Sequence, residues 1–275
     1  MSDNPSPPTF SNPRSRGPSK PQRSYGRFVA FLVLVAFAGV LYWILPGFLA
    51  RHLPSDSKSG DNAAEATGDK AAEQSAAAKL SDFKEQGKSI YLVISEPPDK
   101  HVTSINFCGK PVGDEALALV PKLFRIITIN AGGCRITNDQ LKYFSGLSNL
   151  DNLILNDTAV TDAGLVHLRP LSNLGTLYLS GTQVSDRGLD DVAGFNRLKI
   201  LDLSKTKVTD AGLKKLLPLG DLKWLLLSET EITDAGLESL AAMKSLSRLT
   251  IVGTKVTPEG IARLKTSLSQ LTVDQ

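Results

Sequence analysis

An α/β solenoid is the fold this sequence predicts, with parallel β-strands on a concave face, short helices on the convex side, and a single transmembrane helix ahead of it. Three observations predict it. A 24-residue pattern of apolar positions restarts at Val102, Ile126, Leu150, Leu174, Leu198, Leu222 and Leu246. Within each copy, the apolar fourth and sixth positions alternate with polar neighbours, as a half-buried strand requires. Far upstream, residues 28–50 form one apolar stretch of 23 residues, long enough to cross a hydrocarbon core of about 30 Å.

The copies follow the template Leu-x-x-Leu-x-Leu-x-x-Thr-x-Val-Thr-Asp-Ala-Gly-Leu-x-x-Leu-x-x-Leu, and the columns do not drift. The fourth position reads Ile105, Ile129, Leu153, Leu177, Leu201, Leu225 and Leu249; the ninth reads Lys110, Cys134, Thr158, Thr182, Thr206, Thr230 and Thr254. A fixed period of roughly 20 to 29 residues with this leucine spacing marks a leucine-rich-repeat solenoid, in which no unit buries its own apolar face and stacked neighbours build one core.

Five regions follow along the chain. Residues 1–27 carry Arg14, Arg16, Lys20, Arg23 and Arg27 against Asp3 among many Pro and Ser, which predicts a disordered basic tail in the cytoplasm. Residues 28–50 predict the membrane span, with Tyr42 and Trp43 in an interfacial belt; Ala36-Phe37-Ala38 leaves cleavage as a signal peptide open. The basic tail places the N-terminus inside and the repeats in the periplasm or outside the cell, as in a single-pass membrane protein. Residues 51–79, rich in Ala, Ser, Asp, Lys and Glu, predict a disordered tether. Residues 80–101, with Leu80 and Phe83 on a helical face and a strand-like run up to Ile94, predict an N-terminal cap, and residues 102–275 the solenoid.

Inside each repeat, the ninth-position Thr is expected to turn inward and bond to the backbone of the next coil. Thr161-Asp162 and Thr233-Asp234 predict a helix N-cap followed by an acid at the positive helix end; Thr137 and Gln140 predict a capping box, and Pro258 a first helical residue. Charges in neighbouring coils are expected to pair laterally: Lys205 with Glu229, Lys207 and Lys255 with Glu231, Asp190 and Glu238 with Lys214.

Composition limits the chemistry. From Val102 onward, 19 Lys and Arg stand against 18 Asp and Glu, a balance without the basic field that nucleic acid requires. His52, His101 and His167 are scattered, and no phosphate-loop, metalloprotease, nucleophile-elbow or CxxC motif occurs, so neither catalysis nor a metal or cofactor is expected. Cys108 and Cys134 are the two cysteines; a bond between them and two separate thiols both remain open.

The informative surface is the concave third, fifth and seventh positions. Early coils are small and polar there, whereas Ile154, Tyr178, Ile200, Trp224, Leu226 and Val252 gather from the third coil onward, rimmed by Asp202 and Arg248. Aromatic and Arg side chains on an otherwise polar face are the ingredients of a protein-binding hot spot. The last unit, shortened to Leu268-Ser-Gln-Leu271-Thr-Val273, predicts a terminal sheet edge through which copies could self-associate.

The Val-Thr-Asp-Ala-Gly-Leu blocks at 160–165 and 208–213, with the Ile232 variant at 232–237, resemble the 24-residue leucine-rich repeats of bacterial membrane-anchored or secreted proteins. More distantly they resemble the cysteine-containing repeats of the F-box type, although Cys134 alone matches a Cys column and a membrane span stands where an F-box would. The resemblance implies the solenoid fold and says little of the ligand; with the apolar span, the missing catalytic motifs and the concave patch, the reading is a non-catalytic, membrane-anchored, extracytoplasmic module that binds a protein partner through its concave face. The alternatives are a self-assembling envelope protein and a substrate-recognition adaptor.

Overall fold

The structure, a computed structural model, describes residues 63–85, 90–95, 101–107 and 112–275. The basic tail, the expected membrane span 28–50 and Cys108 lie outside the described residues. Among the described residues, no helix is long and apolar enough to cross a membrane.

Nine strands form one sheet in chain order: β1 (Tyr91–Ile94), β2 (Val102–Asn106), β3 (Thr128–Asn130), β4 (Asn152–Ile154), β5 (Thr176–Tyr178), β6 (Ile200–Asp202), β7 (Trp224–Leu226), β8 (Arg248–Thr250) and β9 (Thr272–Asp274). β1 runs antiparallel to β2; every later pair is parallel. The pairing register is that of the sequence repeat, so Leu153, Leu177, Leu201, Leu225, Leu249 and Val273 share one row. Strands of three residues are held by stacking, since each alone makes too few bonds to offset its ordering entropy.

Behind the sheet, the coils return through short helical segments of three to ten residues. These are α2 (Asp114–Leu117), α3 (Asp162–Leu165), α4 (Leu189–Val192), α5 (Asp210–Leu213), α6 (Asp234–Leu240) and α7 (Pro258–Ser267), with 3₁₀ turns such as Asp139–Phe144. One coil shows the core: Leu150, Leu153, Leu155, Val160, Leu165, Leu168 and Leu171 are all buried. At about 1.5–3 kcal/mol for each buried aliphatic side chain, these columns are the main stabilising term of the unit.

The Thr-Asp pair does more than cap helices. Thr161, Thr209 and Thr233 each accept a bond from the amide two residues on, as N-caps. The following Asp reaches into the next coil: Asp162 Oδ1 and Oδ2 accept from the amide and hydroxyl of Ser185 (2.7 and 2.6 Å), and Asp186 accepts likewise from Thr209 (2.8 and 2.7 Å). The ladder continues through Asp210–Thr233 and Asp234–Thr257. It also explains the glycine of Asp-Ala-Gly: a Cβ on Gly212 would stand 2.3 Å from Asp186 Oδ1.

The ninth-position threonines differ from expectation. Their hydroxyls donate within their own coil, Thr158 to Leu155 O at 2.7 Å and Thr182 to Leu179 O at 2.6 Å, because the three-residue turn brings that carbonyl into reach first. On the helical side, Asp190 pairs with Lys215 at 2.8 Å rather than with Lys214, which the helix turn directs elsewhere. The pairs Lys205–Glu229 and Lys255–Glu231 form as expected. The Gln140 side chain accepts from the Thr137 amide at 3.1 Å, forming the predicted return bond of a capping box.

A helix occupies much of the segment read as a tether. α1 (Ala63–Glu85) places Glu73, Ala76, Leu80 and Phe83 on one face, of which Glu73, Ala76 and Leu80 are buried. Low apolar content suggested disorder, but a strip of small side chains is enough when the end of a stacked core lies open beneath it. Glu73 anchors the strip: Oε2 lies 2.5 Å from His101 Nδ1, and Oε1 accepts from the Val102 amide at 2.9 Å. His101 stands edge-on to Phe124 at 5.5 Å.

The eighth position of the repeat is left-handed wherever it is described between coils two and seven. Gly133, Gly181 and Gly253 take φ of 69°, 70° and 72°, and Asp157, Lys205 and Glu229 take 55°, 57° and 55° in the same column. This conformation aims each amide at the next coil, as in Asp157 N to Ser180 O (2.8 Å) and Lys205 N to Ser228 O (2.8 Å). It costs about 1–2 kcal/mol at a non-glycine residue, so three of the coils carry local backbone strain.

Candidate functional site

The strands alternate by twos, so the third and fifth positions project to the outer face of the sheet while the fourth fills the core. Two rows result. Ile154, Tyr178, Asp202, Leu226, Thr250 and Asp274 form one; Thr176, Ile200, Trp224, Arg248 and Thr272 form the other. Of the eight residues singled out from sequence, seven fall into these rows and are thereby neighbours. Val252 lies just beyond β8, at the seventh position, and is 46% exposed.

The two rows differ in accessibility. Trp224 is 40% exposed, flanked by Ile200 and Arg248. The Arg248 guanidinium lies 5.5 Å from the Trp224 ring centre, and its Nε reaches Asp274 Oδ2 at 3.3 Å. Cation–π contact and ion pair together hold the guanidinium over the indole, on one side of an exposed aromatic platform. Asp274, which the sequence did not single out, is thus part of the arrangement: β9 pairs with β8 at the full 24-residue spacing, so Asp274 stands at the fifth position and not at the seventh that a unit shortened by two residues would give it.

Asp202 departs from expectation. It was expected at the rim with Arg248, yet it is 7% exposed at the centre of its row, because Tyr178 on β5 and Leu226 on β7 stand on either side of it. Its Oδ1 accepts from the Ser204 amide at 2.9 Å. Burial pushes the Asp202 carboxyl above the usual carboxylate range; bonds from the Ser204 amide and hydroxyl partly offset this, and the Asp157 charge adds to it. Burial, then the Asp202 charge, raises the Tyr178 phenol in the same way. Asp202 has no cationic partner among the described residues; Lys205 of its own coil pairs with Glu229, and Arg248, two coils on, with Asp274.

His101 is occupied by Glu73, and among the described residues no three His, Cys, Asp or Glu gather where they could hold a metal ion. Cys134 is buried in the ninth-position column, its Sγ 3.8 Å from Gly132 O. The early coils present Thr128, Asn130 and Asn152 on the outer face, so the apolar and aromatic character begins at Ile154.

Comparison with known proteins agrees with this geometry. Residues 197–217 match the family described as Leucine Rich repeat. No curated protein matches the chain. Among solved structures, the chain is similar to an internalin (inlF) of Listeria monocytogenes, with TM-score 0.51 and 22% identity over 62% of this chain and 46% of that one. It thus spans about half that internalin's length. A leucine-rich-repeat protein of Leptospira interrogans aligns with TM-score 0.47 and 20% identity over 57% of this chain and 39% of its own. A second Listeria monocytogenes internalin, internalin C2, aligns with TM-score 0.45 and 20% identity over 62% of this chain and 80% of its own. The repeat period, the parallel ladder with one strand per coil and the family match together identify the described unit as a leucine-rich-repeat solenoid of α/β class.

Proposed function

We propose that this solenoid is a protein-binding module, that residues 28–50 hold it at a membrane with the repeats on the extracytoplasmic side, and that the sheet face from Ile154 to Val252 receives the partner. The single observation carrying the binding site is Trp224: a large aromatic, 40% exposed, braced by Arg248 and bordered by Ile200. Solenoids of this kind use their extended strand surface for partners, and fixed aromatic side chains bind at low entropy cost. The membrane placement rests on the 23-residue apolar stretch and the basic tail ahead of it. No catalytic step is assigned to the protein.

The test is crosslinking capture from the native membrane fraction, comparing the wild type with a Trp224→Ala, Tyr178→Ala variant whose circular dichroism and melting are unchanged. Loss of particular proteins from the variant's catch supports the site. Identical catches reject it, and a catch holding only the protein itself transfers the case to self-association. Labelling of single engineered cysteines by a membrane-impermeant reagent tests the topology, with labelling in the repeats and none in residues 1–27 expected.

A further inference from the structure

The geometry points to a basic side chain, Arg or Lys, of a polypeptide partner as the group taken up at the centre of this face, over Asp202 between Tyr178 and Leu226. This rests on the sheet face being the binding site, and it adds the chemistry of what binds there. Three observations carry it. First, Asp202 is a carboxylate buried on the partner-facing row, whereas carboxylates buried in folded proteins ordinarily have a cation or a full set of donors. Second, its surroundings supply only Ser204 as a donor, while a second acid, Asp157, adds negative charge to the same side. Third, no ion pair among the described residues includes Asp202: Lys205, three residues on, pairs with Glu229 at 3.4 Å, and Arg248, two strands away, with Asp274 at 3.3 Å.

An incoming guanidinium or ammonium would supply the missing countercharge in a site already partly desolvated, where a charge-assisted bond is strongest. The flanks suit the rest of such a side chain. Tyr178 and Leu226 offer apolar walls for its methylene stem, and Trp224 with Ile200 offers an apolar platform one row away for a neighbouring residue. From β4 to β8 the patch spans four strand spacings, about 19 Å at ~4.8 Å each, which fits an extended polypeptide rather than a single small amine.

Random dodecapeptides displayed on phage and panned against the full-length protein in detergent test the assignment. The expected result is enrichment of sequences with an Arg or Lys beside apolar residues. Asp202→Asn, which keeps the shape and an acceptor for Ser204, should lower their affinity roughly tenfold or more, as should replacing the peptide's basic residue by Gln against the wild type. The two changes combined should cost little more than either alone. Enriched peptides without a basic residue, or with affinity indifferent to Asp202→Asn, overturn the proposal. If those same peptides are lost on Trp224→Ala, the face stands as a binding site and only the cation assignment falls. No enrichment, or peptides indifferent to both variants, removes both.

Discussion

The carboxylate of Asp210 accepts both the amide (2.8 Å) and the hydroxyl (2.6 Å) of Thr233, one coil further on, and occupies the space that a side chain on Gly236 would need. The same three-residue relationship recurs from Asp162 to Asp234, so a repeat motif that reads as helix capping is also the bond between coils. Because a solenoid has only nearest-neighbour interfaces, every such bond contributes directly to the stability of the stack.

Removing the carboxylate with Asp210→Ala should destabilise the protein by about 2 kcal/mol, the cost of two bonds to a charged acceptor. Gly236→Ala should cost about 1–3 kcal/mol by crowding that carboxylate. Combined, the two should cost less than their sum, since the alanine then meets only Ile232 Cγ2 at 3.1 Å; urea unfolding of the four proteins closes the cycle, and strict additivity would sink the account.

Glu73→Ala should release α1 from the first coil. A buried acid that serves both His101 and the Val102 amide is worth about 3 kcal/mol when one partner is removed. Hydrogen exchange should show faster exchange in α1, β1 and β2 while β5 to β8 keep wild-type protection, because coils distant from the cap share no contacts with it.

Gly181→Ala should cost at least the 1–2 kcal/mol of a left-handed alanine, since φ is +70° and Asp157 lies where the new methyl would go. Thermal melting gives the comparison with Gly146→Ala, whose added Cβ meets nothing within 4 Å. A loss no larger at Gly181 than at Gly146 would contradict the left-handed column.

Asp202 carries a pH signature. Its folded-state pKa is raised by burial above the unfolded value of 3.8, so the folded protein binds the proton more tightly and stability falls as pH rises from 3.8 through the folded value. Asp202→Asn should therefore melt higher than the wild type at neutral pH, with the difference closing as pH falls below 3.8. A variant that melts lower at neutral pH would show that the carboxylate is already compensated in the folded state. The opposite sign holds for Asp234, whose pKa is lowered first by the amide and hydroxyl of Thr257; its contribution is present above 3.8 and lost in stronger acid.

The residues themselves determined the architecture. A period of 24 with apolar positions one, four and six allows one arrangement in which every leucine is buried, and parallel strands stacked in register are that arrangement. For the same reason the outer-face rows were legible: once position four is inward, positions three and five must be outward, and Ile154, Tyr178, Trp224 and Arg248 had to become neighbours. What only the tertiary structure decided was everything that depends on the adjacent coil. Period and polarity do not say how far a side chain reaches, so they left open whether Asp162 serves its own helix or Ser185, and whether Thr158 bonds forward or back. They could not show that two flanking side chains bury Asp202, or that an alanine-rich segment becomes helical because an open core end and the Val102 amide lie waiting for it. Those outcomes are set by distances between chain segments about 24 residues or more apart, which a one-dimensional pattern does not encode.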